Sequence, residues 1–294
     1  MPEKVSFFDA ISANKRNSLI LIFLLSLIFM GAVLALSYYY DLGICGPIFG
    51  FFALLLYSVT VYFAGDKVIL AVSGAKKAEK KDYPFLYNVV EGLAIASGIP
   101  MPELYVVNDP SPNAFATGRD PKHASLAVTT GLLQMMKREE LEGVVAHEIS
   151  HIGNYDIRFM MIAIVFAGAI GMIAELGVRM LWFGGRDRDR KGGGGLAILA
   201  LIFMIIAPIF AFLVQMAISR QREFLADANG AKLTRYPEGL ASALEKITNA
   251  SIPMHTASDT TASLYISNPF PRKMSFILST HPDPQDRIRR LRVM

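Results

Sequence analysis

Apolar and polar positions alternate in long blocks along this chain rather than mixing evenly. No charged residue falls between Arg16 and Asp41, and Ser18 to Tyr40 is almost wholly Leu, Ile, Phe, Val and Ala. At about 1.5 Å per residue such a helix crosses the roughly 30 Å hydrocarbon layer of a bilayer, and Tyr38, Tyr39 and Tyr40 suit its aromatic border. A second uncharged run covers Leu42 to Gly65, broken near its start by Gly46-Pro47. A cleaved signal peptide fits the first run poorly, because the run is too long and no small-residue cleavage site precedes the second. A third apolar run goes from Phe159 to Phe183, and a fourth from Leu196 to Ile218 with Pro208 as a kink. Glu175 and Arg179 inside the third run are spaced for an i,i+4 pair, read as lying near a membrane edge with Arg179 snorkelling.

Between these blocks the periodicities are those of a water-facing fold. The pattern predicts a helix over Tyr87–Ala96, stopped by Ser97-Gly98-Ile99-Pro100. Short strands follow at Leu104–Val107, Ala114–Thr117 and Leu126–Thr130. Leu141, Val144, Val145 and Ile149 then mark a helix over Lys137–Gly153. Beyond Ser219, helices are expected at Arg220–Leu233, Pro237–Asn249 and Gln285–Val293. The Ser-, Thr- and Ala-rich stretch from Ala250 to Ser267 predicts a mobile loop. The expectation is a mainly α integral membrane protein: four transmembrane helices and a small α+β domain. Its segments are a hairpin over 1–65, a region over 66–158 that includes the helix at Lys137–Gly153, a second hairpin over 159–218 and a closing region over 219–294.

Composition supports the membrane reading: 53% of the residues are hydrophobic and only 18% charged, against about 25% charged in an ordinary soluble domain. A single cysteine, Cys45, excludes both an internal disulfide and a cysteine zinc cluster. The formal charge of +4 comes without an aromatic-interleaved basic stripe, so anionic lipid is a better partner than nucleic acid. Lys67, Lys76, Lys77, Lys80 and Lys81 follow the first hairpin and place region 66–158 in the cytoplasm. The segment 184–195 carries four basic residues and two acidic ones on what should be the outer side, a local breach of that rule.

The chemistry centres on His147-Glu148-Ile149-Ser150-His151. On a helix, positions i and i+4 share a face, so two imidazoles can grip one zinc ion while Glu148 reaches a bound water as general base. Asn154 and Ile157 stand where the metzincin pattern needs Gly and His, which excludes that pattern. A third ligand must come from elsewhere. Glu223 is the best placed, with Asp227 one turn on to orient a ligand histidine; Glu139, Glu140 and Asp156 compete. Two apolar runs separate His151 from Glu223, an even number of crossings, which returns both to one side of the membrane.

These motifs, with Asn113-Ala114-Phe115-Ala116-Thr117-Gly118 and His281-Pro282 followed by Arg287, resemble the HtpX-type membrane metalloproteases, heat-shock proteases similar to CAAX prenyl endopeptidases. The likeness runs over essentially the whole chain. It implies a gluzincin with His147, His151 and Glu223 on one zinc ion and Glu148 as base. It further implies that His281 and Arg287 stabilise the oxyanion, and that Asn113, Ala114, Phe115 and Ala116 pair with an extended substrate. The implied role is proteolysis of misfolded or damaged membrane proteins at a prokaryotic plasma membrane, facing the cytoplasm; a homo-oligomer is left open. The rivals are a prenyl-protein endopeptidase and a non-catalytic zinc scaffold. His123 and His255 read as surface residues.

Overall fold

The computed structural model describes residues 7–39, 42–166, 220–258, 261–270 and 282–294. Two compact units make up the chain. One gathers residues 1–15, 66–161 and 217–294; the other holds 16–65 and 162–216.

Helix α1 (Phe7–Tyr39) begins in the first unit and continues into the second, and α2 (Cys45–Val72) follows after a short turn. Gly46-Pro47, the interruption in the second apolar run, falls in the first turn of α2, where a missing N–H costs nothing. Among the described residues α2 is the one helix long and apolar enough to cross a membrane, with a mean hydropathy of 1.9 over its most apolar window. Its 28 residues reach about 42 Å. Phe49, Phe52, Leu56 and Phe63 are exposed along it, an outward display of large apolar groups that lipid would cover. Most of the third expected span, all of the fourth and the basic segment between them lie outside the described residues.

The first unit is a four-stranded sheet covered by helices. Strands β1 (Ala75–Lys77), β2 (Glu103–Val107), β3 (Ala114–Asp120) and β4 (His123–Thr129) lie in the order β1-β2-β4-β3. The β2–β4 pair is parallel and the other two pairs are antiparallel, so β3 forms an edge. Helix α3 (Pro84–Ser97) buries Leu86, Val89, Val90 and Leu93, one face of a 3.6-residue repeat. It ends as its sequence requires: Gly98 takes the left-handed conformation at φ 71° and donates to the Ala94 and Ile95 carbonyls.

A short helix α4 (Thr130–Met135) leads to α5 (Arg138–Gly153), the predicted zinc helix. Helices α6 (Arg220–Thr234), α7 (Pro237–Ala250) and α8 (Pro284–Arg292) complete the unit. Leu141, Val144, Val145 and Ile149 of α5 join strand residues Leu104, Leu126 and Val128 in one core with Leu240 and Leu244 of α7 and Ile288 and Leu291 of α8. Helix α5 is thus enclosed on nearly every side. The stretch expected to be a mobile loop is instead tied down: buried Asp109 accepts the backbone N–H groups of His255 and Thr256, and Tyr265 and Ile266 are buried.

Candidate metal centre

Helix α5 presents His147, Glu148 and His151, and its start is built to last. Glu140 accepts the Lys137 N–H at 2.8 Å and the Lys246 ammonium at 2.7 Å, while Glu139 stays exposed in the first turn. Neither of these competing acids reaches the imidazoles: Glu140 closes a capping box.

Helix α6 comes close to α5 because Gly230 carries no side chain. A Cβ there would lie 3.1 Å from the His147 backbone nitrogen. Glu223, Asp227 and Gly230 are spaced i, i+4 and i+7, so they share the face that meets α5. Both acids are buried. Glu223 brings one carboxylate oxygen to 3.5 Å from His151 Nε2 and the other to 3.7 Å from His147 Nε2. The two Nε2 atoms stand 3.2 Å apart. One ligand atom from each of the three residues falls within 4.8 Å of the others.

The outer nitrogens explain why that cluster suits a cation. His147 Nδ1 lies 2.9 Å from Asp227, and His151 Nδ1 lies 3.0 Å from Asp156. Each carboxylate accepts a proton-bearing Nδ1, which leaves both Nε2 lone pairs converging on the carboxylate of Glu223. Two imidazole nitrogens and a carboxylate oxygen are the donor set of a catalytic zinc site with one position left for water. The residues fit the metal.

Arg287, fully buried on α8, braces this arrangement. It grips Asp227 with two hydrogen bonds, at 2.9 and 2.7 Å, donates to the Ile266 carbonyl at 3.0 Å and sits 3.4 Å from Glu223. Its donors are therefore directed chiefly at Asp227, the support of His147, with the ligand Glu223 also in reach. Burial works against ionising Asp227, but Arg287 and His147 outweigh it and hold the carboxyl below its ordinary 3.8. Burial pushes the Glu148 carboxyl up, with His147 and His151 pulling the other way. Burial also opposes charge on His151, yet Asp156 and Glu223 raise its pKa well above the ordinary value, so a proton and a cation compete for one imidazole.

Glu148 lines the same cleft as the three ligand residues, together with Ala116, Ile157, Met160 and residues 263–266. The expected substrate strand is partly taken. Ala114 accepts the Ile266 N–H at 3.0 Å, the Asn113 amide donates to the Ser267 carbonyl at 3.0 Å, and the Tyr265 ring packs edge-on against Phe115. Asn113 accepts from Thr129 of β4, so by strand alternation the peptide groups of Ala116 face the outer edge. His281 lies outside the described residues. His123 is exposed beside Asp120, and His255 is exposed in its loop.

The sequence offers Asp156 as a competing ligand; the structure makes it the support of His151 instead. Its place just past the helix stop at Gly153-Asn154 was the available signal. Residues 264–266, which line this cleft, and Asn14, which bonds Asp156, carry no local motif.

The family profile described as Peptidase family M48 matches residues 81–294. The chain is 49% identical over 289 residues to the protein named Protease HtpX homolog of Dictyoglomus thermophilum, covering 98% of this chain and 95% of that one. It is 47% identical to its namesake in Caldanaerobacter subterraneus subsp. tengcongensis, over 98% of each. In Streptococcus gordonii the identity is 46%, over 98% of this chain and 99% of the relative. In fold it is similar to the crystal structure of S. mikatae Ste24p, with a TM-score of 0.52 at 18% identity, over 97% of this chain and 67% of that one.

Proposed function

The chain belongs to peptidase family M48, and from that premise we propose that it is a zinc-dependent membrane endopeptidase hydrolysing misfolded or damaged membrane proteins at the cytoplasmic face of a bacterial plasma membrane. The observation that carries this reading is the convergence of His147 Nε2, His151 Nε2 and the Glu223 carboxylate beside Glu148 in one cleft. The four uncharged runs of the sequence, the apolar length of α2 and the basic cluster after the first hairpin support the topology.

Zinc, when bound by His147, His151 and Glu223, supplies an acidified water and a Lewis acid for the scissile carbonyl. Glu148 takes the proton from the attacking water on its carboxylate and delivers it to the departing amine nitrogen. Its burial suits this task, because a carboxyl held above its ordinary range takes up a proton more readily. Ala116 aligns an extended substrate by its outward peptide groups, while the segment at 266–267 occupies the edge at Asn113 and Ala114. Arg287 acts by holding Asp227 and Glu223 in place, and His281 is the remaining candidate donor to the oxyanion.

Glu148→Gln tests the assignment. Cleavage of an unfolded membrane substrate by the purified chain should fall by about 10²–10⁴-fold, with bound zinc unchanged by metal analysis. Undiminished turnover overturns the role of Glu148. A wild type that holds zinc and cleaves nothing favours a scaffold instead.

A further inference from the structure

Asp156 can orient His151 only if its own carboxylate is held, and the holder comes from far away in sequence. Asn14, on α1, donates from Nδ2 to Asp156 Oδ1 at 2.7 Å and to the Asn154 carbonyl at 2.9 Å. Both hydrogens of the amide are therefore used on the corner that follows the zinc helix. Asn14, Asn154 and Asp156 are all buried. Between the two acceptors stands Tyr155, whose φ of 62° lies in the left-handed region that a bulky side chain rarely adopts. Such a conformation persists only where its surroundings over-determine it. Lys15, the next residue of α1, supplies part of that constraint, with its ammonium 4.3 Å from the centre of the Tyr155 ring.

We propose that Asn14 is a positioning residue for the metal centre, acting through Asp156 on His151; the proposal rests on the zinc reading above. Asp156 turns one oxygen to His151 Nδ1 at 3.0 Å and the other to Asn14. Arg222 lies 3.8 Å from that second oxygen, beyond hydrogen-bond length, so the Asn14 amide fixes the plane of the carboxylate. That plane sets which ring nitrogen of His151 carries the proton and where its Nε2 points. The start of the first helix is thereby part of the metal site.

The test uses the full chain in detergent micelles, with zinc affinity measured against a chromophoric chelator and the cobalt-substituted form read by its visible absorption. Asn14→Ala should weaken zinc about tenfold, the lower end of what loss of a ligand's outer partner costs. Asn14→Asp, nearly the same size, sets two carboxylates against each other and should weaken zinc further and displace the cobalt bands. Should the alanine variant fail to fold, the near-isosteric aspartate and Asn14→Ser carry the comparison. Wild-type affinity and an unchanged cobalt spectrum in the folded variants overturn the proposal, even if melting temperatures fall. A wild-type chain that binds no zinc overturns the metal reading itself, a separate outcome.

Discussion

At the scale of single residues, the centre depends on a buried charge pair as well as on the ligands' own contacts. Asp227 and Arg287 are both buried and doubly hydrogen-bonded, and Asp227 in turn fixes His147. Asp227→Asn keeps the shape and removes the charge. It should lower zinc affinity by about 10–100-fold and destabilise the fold by about 3–5 kcal/mol, because Arg287 is left buried without its counter-ion. Chelator competition and thermal melting measure the two losses. The pH dependence has a definite sign. A carboxyl held below its ordinary value contributes stability that is complete above that value and is lost as pH falls through the depressed one. The melting gap between wild type and Asp227→Asn should therefore be full above pH about 5 and close only as pH drops through 3.8 and below. The histidine pair was legible in sequence because helical spacing puts both rings on one face, and Glu223 because it follows an even number of apolar runs and matches the family motif. The grip of Arg287 on Asp227 was not, since nothing local announces a contact across 60 residues.

Among the secondary-structure elements, the centre depends on how close α5 and α6 come. Alanine inside a helix normally improves on glycine by about 1 kcal/mol. At Gly230 the added Cβ would sit 3.1 Å from the His147 nitrogen and 3.3 Å from its Cα, contacts tight enough to push the helices apart by a few tenths of an ångström. Gly230→Ala should thus leave the melting temperature nearly unchanged while weakening zinc several-fold, because Glu223 and Asp227 move with α6. Chelator competition beside a thermal melt separates the two effects. The helices themselves were readable from apolar spacing and from stops such as Ser97-Gly98, with ends shifted by a few residues. Strand β1 was not, because three residues with two exposed lysines show no alternation; it exists through its pairing with β2. The stretch 250–267 misled for a related reason. Its polar composition hid Tyr265 and Ile266, which are buried by β3 and Arg287 rather than by any pattern of their own.

For the whole molecule, zinc couples to stability. Ligands drawn from α5 and α6 bind the ion only when the unit is folded, so free zinc at 100 times its Kd should stabilise it by about 2.7 kcal/mol. Calorimetry with zinc or with chelator measures that difference, and a chelated sample should regain both its melting temperature and its peptidase activity when zinc returns. The uncharged runs gave the sequence its membrane reading, and their even number between His151 and Glu223 required both ligands on one side. The unit that joins 66–161 with 217–294 holds both ligands. The same unit also takes residues 1–15, and Arg287 sits in the final helix. Its parts thus come from stretches far apart along the chain. A fragment that stops before residue 220 has the paired imidazoles but neither Glu223 nor Arg287, so it lacks both the third ligand and the brace that holds it.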